Sequence, residues 1–315
     1  IVMSENTDAS CSDGCGHKAL DSAHDALTSV RELGGRPIRV VYDDGEGPDH
    51  NVDAPVILLM AGAAASSDFW KPVVDRLQDL DVISYDRPGL GGTVWPGHYP
   101  DLDEEVASLR DLVGVIQGHW DTKEPRKVIL VAHSMAAFHA EAFTRIHPDV
   151  VAGIVLVDPS VEWPTHPPRE HSIALPKAVH KVMDSVAGSL GRAAFAVGVA
   201  AQTMRSGKLV WHQFHEHRLY RVYGSPDAMA MAVAEWIGYD RQAWDLMAVR
   251  SDHPWPGLPT VLLSAVYSGQ EQELELHERL APMLGAKLVV VESSHHLMML
   301  DRPEVIADAI RSVSK

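Results

Sequence analysis

Short apolar runs rich in β-branched residues alternate with longer segments of helical periodicity through most of this chain, and this alternation limits the fold more than any other feature. The order of strand, helix, strand and helix predicts an α/β fold with a mostly parallel central sheet flanked by helices. The apolar runs are "APVILLMAG", "DVISYD", "KVILVAH", "VAGIVLVDPS", "LPTVLLSAV" and "AKLVVVESS".

The alternation is interrupted between Val161 and about Trp255, where the strand signal disappears and helical stretches follow one another. We interpret this segment as an insertion that forms a helical lid over the strand ends. The predicted organisation is therefore a flexible or helical N-terminal arm over residues 1–35, an α/β core over 36–160 and 256–315, and a helical lid over 161–255.

The charge balance is strongly acidic, since 43 Asp and Glu against 27 Lys and Arg give a formal net charge of −16 at pH 7. Nucleic acids and anionic membranes bind clustered Lys and Arg, so neither is expected as a partner. No run of about 18 apolar residues is present to span a bilayer. The polar, acidic stretch over residues 1–25 lacks the regions of a signal peptide. We expect a cytoplasmic protein. The sequence leaves open whether it forms a homo-oligomer.

Two clusters contain residue types that ligate metals. Cys11 and Cys15 lie near His17, but a zinc site takes four ligands, which favours free thiols in the arm. The second cluster, in "WHQFHEHRLYR", lacks the H-E-x-x-H spacing of zinc enzymes and is typical of a solvated polar helix face. Its members are His212, His215, Glu216 and His217. We therefore predict no metal and no cofactor.

The stretch "KVILVAHSMAAFHAEAF" places Ser134 between a strand and a helix. A Ser at such a tight turn has its Oγ pushed outward, with the positive end of the helix dipole beneath it. Residues two positions before and after it must be small because strand and helix nearly touch there, and Ala132 and Ala136 are small. The pattern is a variant of G-x-S-x-G, the turn of a nucleophilic Ser; the alternative is a Ser that caps the helix.

From about Arg36 to Lys315 the order of elements resembles the α/β-hydrolase family. The segment "LLMAGAAASSDFW" is similar to the family's H-G-x-x-x-S segment, with Ala61 in place of the His. The resemblance implies an oxyanion hole formed by the backbone N–H groups of Ala63 and Met135, which tolerates changes of side chain.

Two further motifs carry the resemblance. "YDRPGLGGT" is similar to the family's D-x-x-G-x-G loop, in which Asp86 and Arg87 are expected to be structural. "SSHHLMMLDRPEVIADAI" resembles the tail that carries the catalytic His. The family's spacing of seven residues before the Pro selects His296, counted back from Pro303, with His295 as the alternative.

The acid of the expected triad is where the sequence departs from the family pattern. The usual position, after the strand in "PTVLLSAVYSG", is taken by Ser268, which cannot stabilise an imidazolium by charge. A minority of the family takes the acid from the preceding strand, where "IVLVDPS" offers Asp158. Glu271 and Glu273 are the alternatives, although both are typical of a first helical turn; the site could also have no acid.

The resemblance implies a serine hydrolase that cleaves a small-to-medium hydrophobic ester or lactone through an acyl-enzyme on Ser134. The alternatives are a ligand-binding protein that keeps the fold without turnover, and a carbon–carbon bond hydrolase or acyltransferase. An apolar substrate is expected because the segment read as a lid is rich in Trp and Met. Its large apolar residues include Trp163, Met204, Trp211, Phe214, Met229, Met231, Trp236, Trp244 and Met247.

Overall fold

Eight strands form one sheet in the computed structural model, which describes residues 27–120, 122, 124–170, 172–185, 225–267 and 271–314, with only the backbone at 271. The strands are β1 Leu27–Leu33, β2 Arg36–Asp43, β3 Val56–Met60, β4 Val82–Asp86, β5 Val128–His133, β6 Val151–Val157, β7 Thr260–Val266 and β8 Lys287–Glu292. Several residues considered above lie outside the described ranges: Cys11, Cys15, His17, Met204, Trp211, His212, Phe214, His215, Glu216, His217 and Ser268.

The strand order is β1-β2-β4-β3-β5-β6-β7-β8. The strands from β4 to β8 pair in parallel, while β2 is antiparallel to both β1 and β4. The predicted fold class, a mostly parallel sheet flanked by helices, is confirmed. Because β3, β5, β6 and β7 are adjacent and parallel, their carboxyl ends meet at one edge of the sheet.

The described helices lie between these strands in the expected order. They are α1 Lys71–Val74, α2 Leu102–Gln117, α3 Ala136–Ile146, α4 Ala174–Ser185, α5 Pro226–Asp252, α6 Glu271–Met283, α7 Met298–Asp301 and α8 Pro303–Val313. Capping side chains set two of the helix starts. Asp101 accepts a hydrogen bond from the N–H of Glu104 before α2, and Ser225 accepts one from Ala228 before α5. Among the described residues, no helix has the length and apolarity needed to cross a bilayer.

The end of the predicted N-terminal arm is wrong, because residues 27–33 form β1. This strand pairs along its whole length with β2, with Leu27 opposite Tyr42 and Leu33 opposite Arg36. Its side chains are largely exposed, since Leu27 and Val30 are each more than 60% accessible at 61% and 63%. An edge strand held by backbone hydrogen bonds lacks the apolar pattern from which buried strands are predicted.

The core consists of two apolar layers, one on each face of the sheet. Along β3 every side chain is buried. Leu58 and Met60 enter one layer, and Ile57 and Leu59 enter the other. Each such side chain removed from water contributes about 2 kcal/mol to stability. The continuously apolar sequence of β3 therefore reflects burial on both faces, which fixes the position of its carboxyl end.

Helix α5, in the segment that the sequence predicts to be a lid, packs on the loop that follows β4. Leu90 and Trp95 of that loop form a small apolar cluster with Met231 and Ala234 of α5. The Oδ1 atom of Asp227 accepts a hydrogen bond from the N–H of Trp95 at 3.0 Å. These contacts place one face of α5 against the carboxyl end of the sheet.

Candidate active site

Ser134 lies at the turn between β5 and α3, in a left-handed backbone conformation with φ of 53°. This conformation is costly for a residue other than Gly and is found mainly where a structure holds it in place. The N–H of Ser134 donates to the carbonyl of Val157 at 3.2 Å, and its own carbonyl accepts from Ala137 at 3.0 Å and Ser160 at 3.1 Å. The turn thus presents the Oγ of Ser134 at the carboxyl edge of the sheet.

Small residues surround this turn because the backbone is crowded there. Ala132 and Ala136 are both fully buried. A Cβ added to Gly62 would lie 2.9 Å from the Cβ of Ser134 and 2.7 Å from Nδ1 of His133. The loop after β3 can therefore approach the Ser only because it carries Gly at this position.

His296 is the histidine that reaches Ser134. It lies between β8 and α7, with Nε2 at 3.0 Å from the Ser134 Oγ and about a third of its side chain (32%) exposed. The alternative, His295, is buried and faces Asp301, and its Nδ1 accepts a hydrogen bond from the N–H of Leu297. The spacing to Pro303 therefore selects the residue that the structure brings to the Ser.

Asp158 follows β6 and completes the chain of hydrogen bonds. Its Oδ2 lies 2.7 Å from Nδ1 of His296, and its Oδ1 accepts from the N–H of Ala265 at 2.9 Å. Burial alone would raise the pKa of the Asp158 carboxyl, but the hydrogen bond and charge of His296 outweigh it and hold this pKa below its usual range. Asp158 is therefore ionised at neutral pH. Of the two alternative acids, Glu273 is exposed on α6, and the structure describes only the backbone of Glu271.

The two N–H groups assigned to an oxyanion hole lie on either side of Ser134. Met135 is the first residue after it, at the start of α3, and Ala63 lies in the loop after β3. Within the described part of the chain, neither N–H donates a hydrogen bond to another residue. Both are therefore available to an incoming oxygen, although their role stays a prediction.

His133, beside the nucleophile, has a defined partner that sequence reasoning missed. Its Nε2 donates to the carbonyl oxygen of His296 at 2.8 Å. Burial, reinforced by the neighbouring His296, lowers the pKa of His133 to about 3, so the ring is neutral at physiological pH. A neutral ring with Nε2–H fixes the backbone at His296 without adding a positive charge beside it.

A second buried histidine, His277, binds the residue that follows Asp158. Nε2 of His277 donates to the carbonyl of Pro159 at 2.9 Å, and its Nδ1 accepts from the hydroxyl of Ser264 at 2.7 Å. Asp158 itself has a positive φ of 43°. The bond to Pro159 therefore holds the strand end in the conformation that directs the carboxylate towards His296.

Other polar groups near the Ser come from the residues after β6 and from α5. The Oγ of Ser160 lies 3.5 Å from that of Ser134. Tyr239 of α5 hydrogen-bonds Ser160 and donates to Glu162 at 3.3 Å, and burial raises the pKa of its phenol. No local motif marks Tyr239, because it reaches the site only through the packing of α5.

Some of the apolar residues expected to line a pocket pack against other side chains, and others are exposed to solvent. Met231 is buried against the loop after β4, and Trp163 stacks beneath the guanidinium groups of Arg250 and Arg279. Trp236 is 71% exposed. Among the described residues, no group of three or more His, Cys, Asp or Glu is placed to hold a metal ion.

The buried histidines predict a loss of stability in mild acid. Burial lowers the pKa of His133 to about 3 and that of His139 to about 4, both from an ordinary value of 6.5. Between pH 6.5 and 4.5 the unfolded chain therefore binds up to two more protons than the folded one, and the free energy of unfolding falls as the pH is lowered. The expected slope is about 1.4 kcal/mol per pH unit for each histidine.

Urea unfolding at a series of pH values between 7 and 4.5 measures this slope. His139→Gln is the matched variant, since the Gln amide can still donate to Gln242 as the ring Nε2 does at 2.5 Å. The variant should reduce the slope by about 1.4 kcal/mol per pH unit, which is the contribution of one histidine. A wild-type free energy of unfolding that is constant over this range would contradict the assignment.

Comparison with known proteins agrees with the fold. The model of the alpha/beta hydrolase family matches residues 57–309. An epoxide hydrolase from Vigna radiata is 16% identical with a TM-score of 0.66, with 93% of this chain and 98% of that chain covered. A thermophilic esterase from Thermogutta terrifontis is 20% identical with a TM-score of 0.61, covering 91% and 97% of the two chains. A deformylase from Pseudomonas putida is 19% identical with a TM-score of 0.61, covering 90% and 100%.

At these identities the three structures share the fold with this chain and carry no statement about its substrate. No curated protein matches the chain in sequence. The family model spans strands β3 to β8 and thus includes the turn at Ser134 and the loop at His296. The chain belongs to the alpha/beta hydrolase family.

Proposed function

We propose that this protein is a serine hydrolase that cleaves a small-to-medium hydrophobic carboxylic ester or lactone through an acyl-enzyme. One observation carries the proposal: the continuous hydrogen-bond path from the Ser134 Oγ through His296 to Asp158, with distances of 3.0 and 2.7 Å. The Ser134 Oγ lies within the reach needed for proton transfer to His296, and Asp158 lies within hydrogen-bond reach of the same ring.

The reaction follows from this path. The Ser134 Oγ attacks the carbonyl carbon of the ester while its proton passes to Nε2 of His296, and the ionised Asp158 stabilises the resulting imidazolium. The bond to the leaving alcohol then breaks as His296 returns the proton to it. Water attacks the acyl-enzyme in the same way, and the acid is released with Ser134 restored.

The negative charge that develops on the substrate oxygen would be received by the N–H groups of Ala63 and Met135. Their lack of other acceptors among the described residues supports this role. Preorganised donors of this kind are worth about 3 kcal/mol of transition-state stabilisation each. The hole uses backbone groups, so the Ala at position 61 does not prevent it from forming.

The preference for an apolar, uncharged acyl group rests on the apolar residues of segment 161–255, which we propose to act as a lid, and on the net charge of −16. Such a charge disfavours anionic substrates. Action without a metal or cofactor, and a cytoplasmic location, belong to the same proposal.

A fluorophosphonate probe tests the proposal, because it reacts only with a Ser activated by a base. We expect stoichiometric labelling of Ser134 in the wild type and labelling slowed by at least about a thousandfold in His296→Ala. His98→Ala is the matched control, since this histidine is exposed and its ring contacts Tyr99 and Glu104, neither of which belongs to the proposed triad. Mass spectrometry of the intact protein and of its peptides gives the extent and the position of labelling.

Two results would contradict the proposal. An inert Ser134 in a folded wild type would instead favour a ligand-binding protein that keeps the fold. Labelling that is equally fast in His296→Ala would show that His296 does not act as the base. A panel of p-nitrophenyl esters and lactones of graded acyl length, applied to the labelled and unlabelled protein, then defines the acyl group accepted.

A further inference from the structure

A buried ion pair between helix α5 and the loop after β4 contacts the loop after β3. Nε of Arg87 lies 2.6 Å from Oε1 of Glu235, and the two side chains are 1% and 0% exposed. Arg87 also donates from Nη1 to the carbonyl of Ala61 at 2.5 Å and from Nη2 to that of Gly62 at 2.6 Å. Oε2 of Glu235 accepts from the N–H of Ala64 at 2.5 Å. The pair therefore contacts three peptide groups in a four-residue loop.

From this arrangement we infer that Arg87 and Glu235 are positioning residues, which hold the loop 61–64 so that the N–H of Ala63 points at the reacting oxygen. The inference rests on the proposed function, because it concerns the donor assigned to the oxyanion hole. It also gives helix α5 of the inserted segment a direct part in the geometry of the site.

The link from Arg87 to the oxyanion hole is a single peptide unit. The carbonyl of Gly62 and the N–H of Ala63 belong to the same planar trans peptide, so they point in opposite directions. A guanidinium N–H on the carbonyl oxygen therefore sets the direction of the N–H. The positive charge on that oxygen also polarises the peptide, which makes the Ala63 N–H a stronger donor.

Glu235 acts on the other side of the same donor. Ala64 has a positive φ of 54°, a conformation that costs free energy for Ala and needs support from its surroundings. The carboxylate accepts the Ala64 N–H and so supplies that support. It also neutralises Arg87, whose burial without a partner would be strongly unfavourable. The two side chains thus act as one unit.

The position of Glu235 depends on the docking of α5. A Cβ added to Gly89 would lie 2.8 Å from the Cβ of Met231 and 3.1 Å from the carbonyl of Asp227, so α5 rests directly on the loop after β4. Arg87 belongs to the same loop. The contacts that hold α5 on this loop therefore also fix the position at which the Glu235 carboxylate meets the loop 61–64.

The experiment compares Glu235→Gln with Glu141→Gln. A Gln at 235 can accept from the Ala64 N–H or from Arg87 but not from both, since its amide nitrogen is a donor. Glu141 is the matched control, because it is also buried and its carboxylate pairs with Arg145 and, at 2.8 Å, with Arg250 of α5 rather than with the loop 61–64. Both variants lose a buried ion pair that ties α5 to the core.

We expect Glu235→Gln to lower kcat by about a hundredfold while KM changes by less than about threefold, because the interaction lost is made in the transition state. The inhibition constant of a trifluoromethyl ketone, which forms a tetrahedral oxyanion on the Ser, should rise in parallel with the fall in kcat/KM. Glu141→Gln should lower the midpoint of thermal unfolding and keep the wild-type kcat in its folded fraction.

Arg87→Lys provides a second variant if Glu235→Gln does not fold. It retains the charge but loses the fork that reaches both carbonyls, so the same loss of kcat is expected. A kcat in either folded variant that falls no further than in Glu141→Gln overturns the inference, even when the wild type hydrolyses esters. A wild type that neither hydrolyses the panel nor reacts with the fluorophosphonate overturns the proposed function, and this inference with it.

Discussion

Replacing Ser134 with Ala is expected to abolish ester hydrolysis. The proposed reaction passes through a covalent bond to the Ser134 Oγ, and loss of an activated Ser in such a triad lowers kcat by about six orders of magnitude. The substitution keeps the Cβ, so the left-handed turn with φ of 53° should be retained and the fold unchanged. Release of p-nitrophenolate from the best ester of the panel measures the effect.

Ser312→Ala is the control for this substitution, since Ser312 is exposed on α8. It should hydrolyse the ester at the wild-type rate. Turnover in Ser134→Ala within about tenfold of the wild type would show that the reaction does not pass through this hydroxyl.

Asp158→Asn is expected to lower kcat by about two to four orders of magnitude. The Asn oxygen can still accept from the N–H of Ala265, which would turn the amide nitrogen towards Nδ1 of His296. Two donors cannot face each other, so the ring would adopt the other tautomer, with its proton on Nε2. His296 then cannot accept the proton of Ser134, although the geometry of the site is almost unchanged.

Asp81→Asn tests whether such a loss follows from removing any buried carboxylate. Asp81 is 1% exposed, and its Oδ2 accepts a hydrogen bond from Arg126 at 2.6 Å. It lies just before the start of β4 and therefore at the end of the sheet opposite to Ser134. This variant should be less stable but equally active in its folded fraction. A kcat for Asp158→Asn close to that of Asp81→Asn would assign the acid to another residue.

The proposed acid shows how the tertiary structure brings together residues that the sequence leaves as alternatives. Asp158 follows β6, whereas the usual family position follows β7. These two strands are neighbours in parallel register, with Val157 opposite Leu263, and the N–H of Asp158 donates to the carbonyl of Leu263 at 2.8 Å. A carboxylate at either strand end can therefore reach the same imidazole.

The errors of prediction have local causes. Strand β1 was missed because an exposed edge strand has no apolar periodicity. The stretch "SDFWKPVVDRLQDL" has the composition of one helix, but it forms a 3₁₀ turn over Ser67–Trp70 and the single turn α1. Helical propensity in a short segment is weak, and packing against the core decides how far such a helix extends.

The sequence by itself determined the features that depend on near neighbours in the chain: the buried strands, the turn at Ser134 with its small flanking residues, and the loop with His296 before Pro303. Only the tertiary structure decided the contacts across long separations. The bond from His133 to His296 spans 163 residues, and the pair of Arg87 and Glu235 spans 148. The physical reason is that periodicity and turn chemistry report on local backbone conformation, whereas hydrogen bonds between distant residues form only after the sheet has brought its strand ends together and α5 has packed on them.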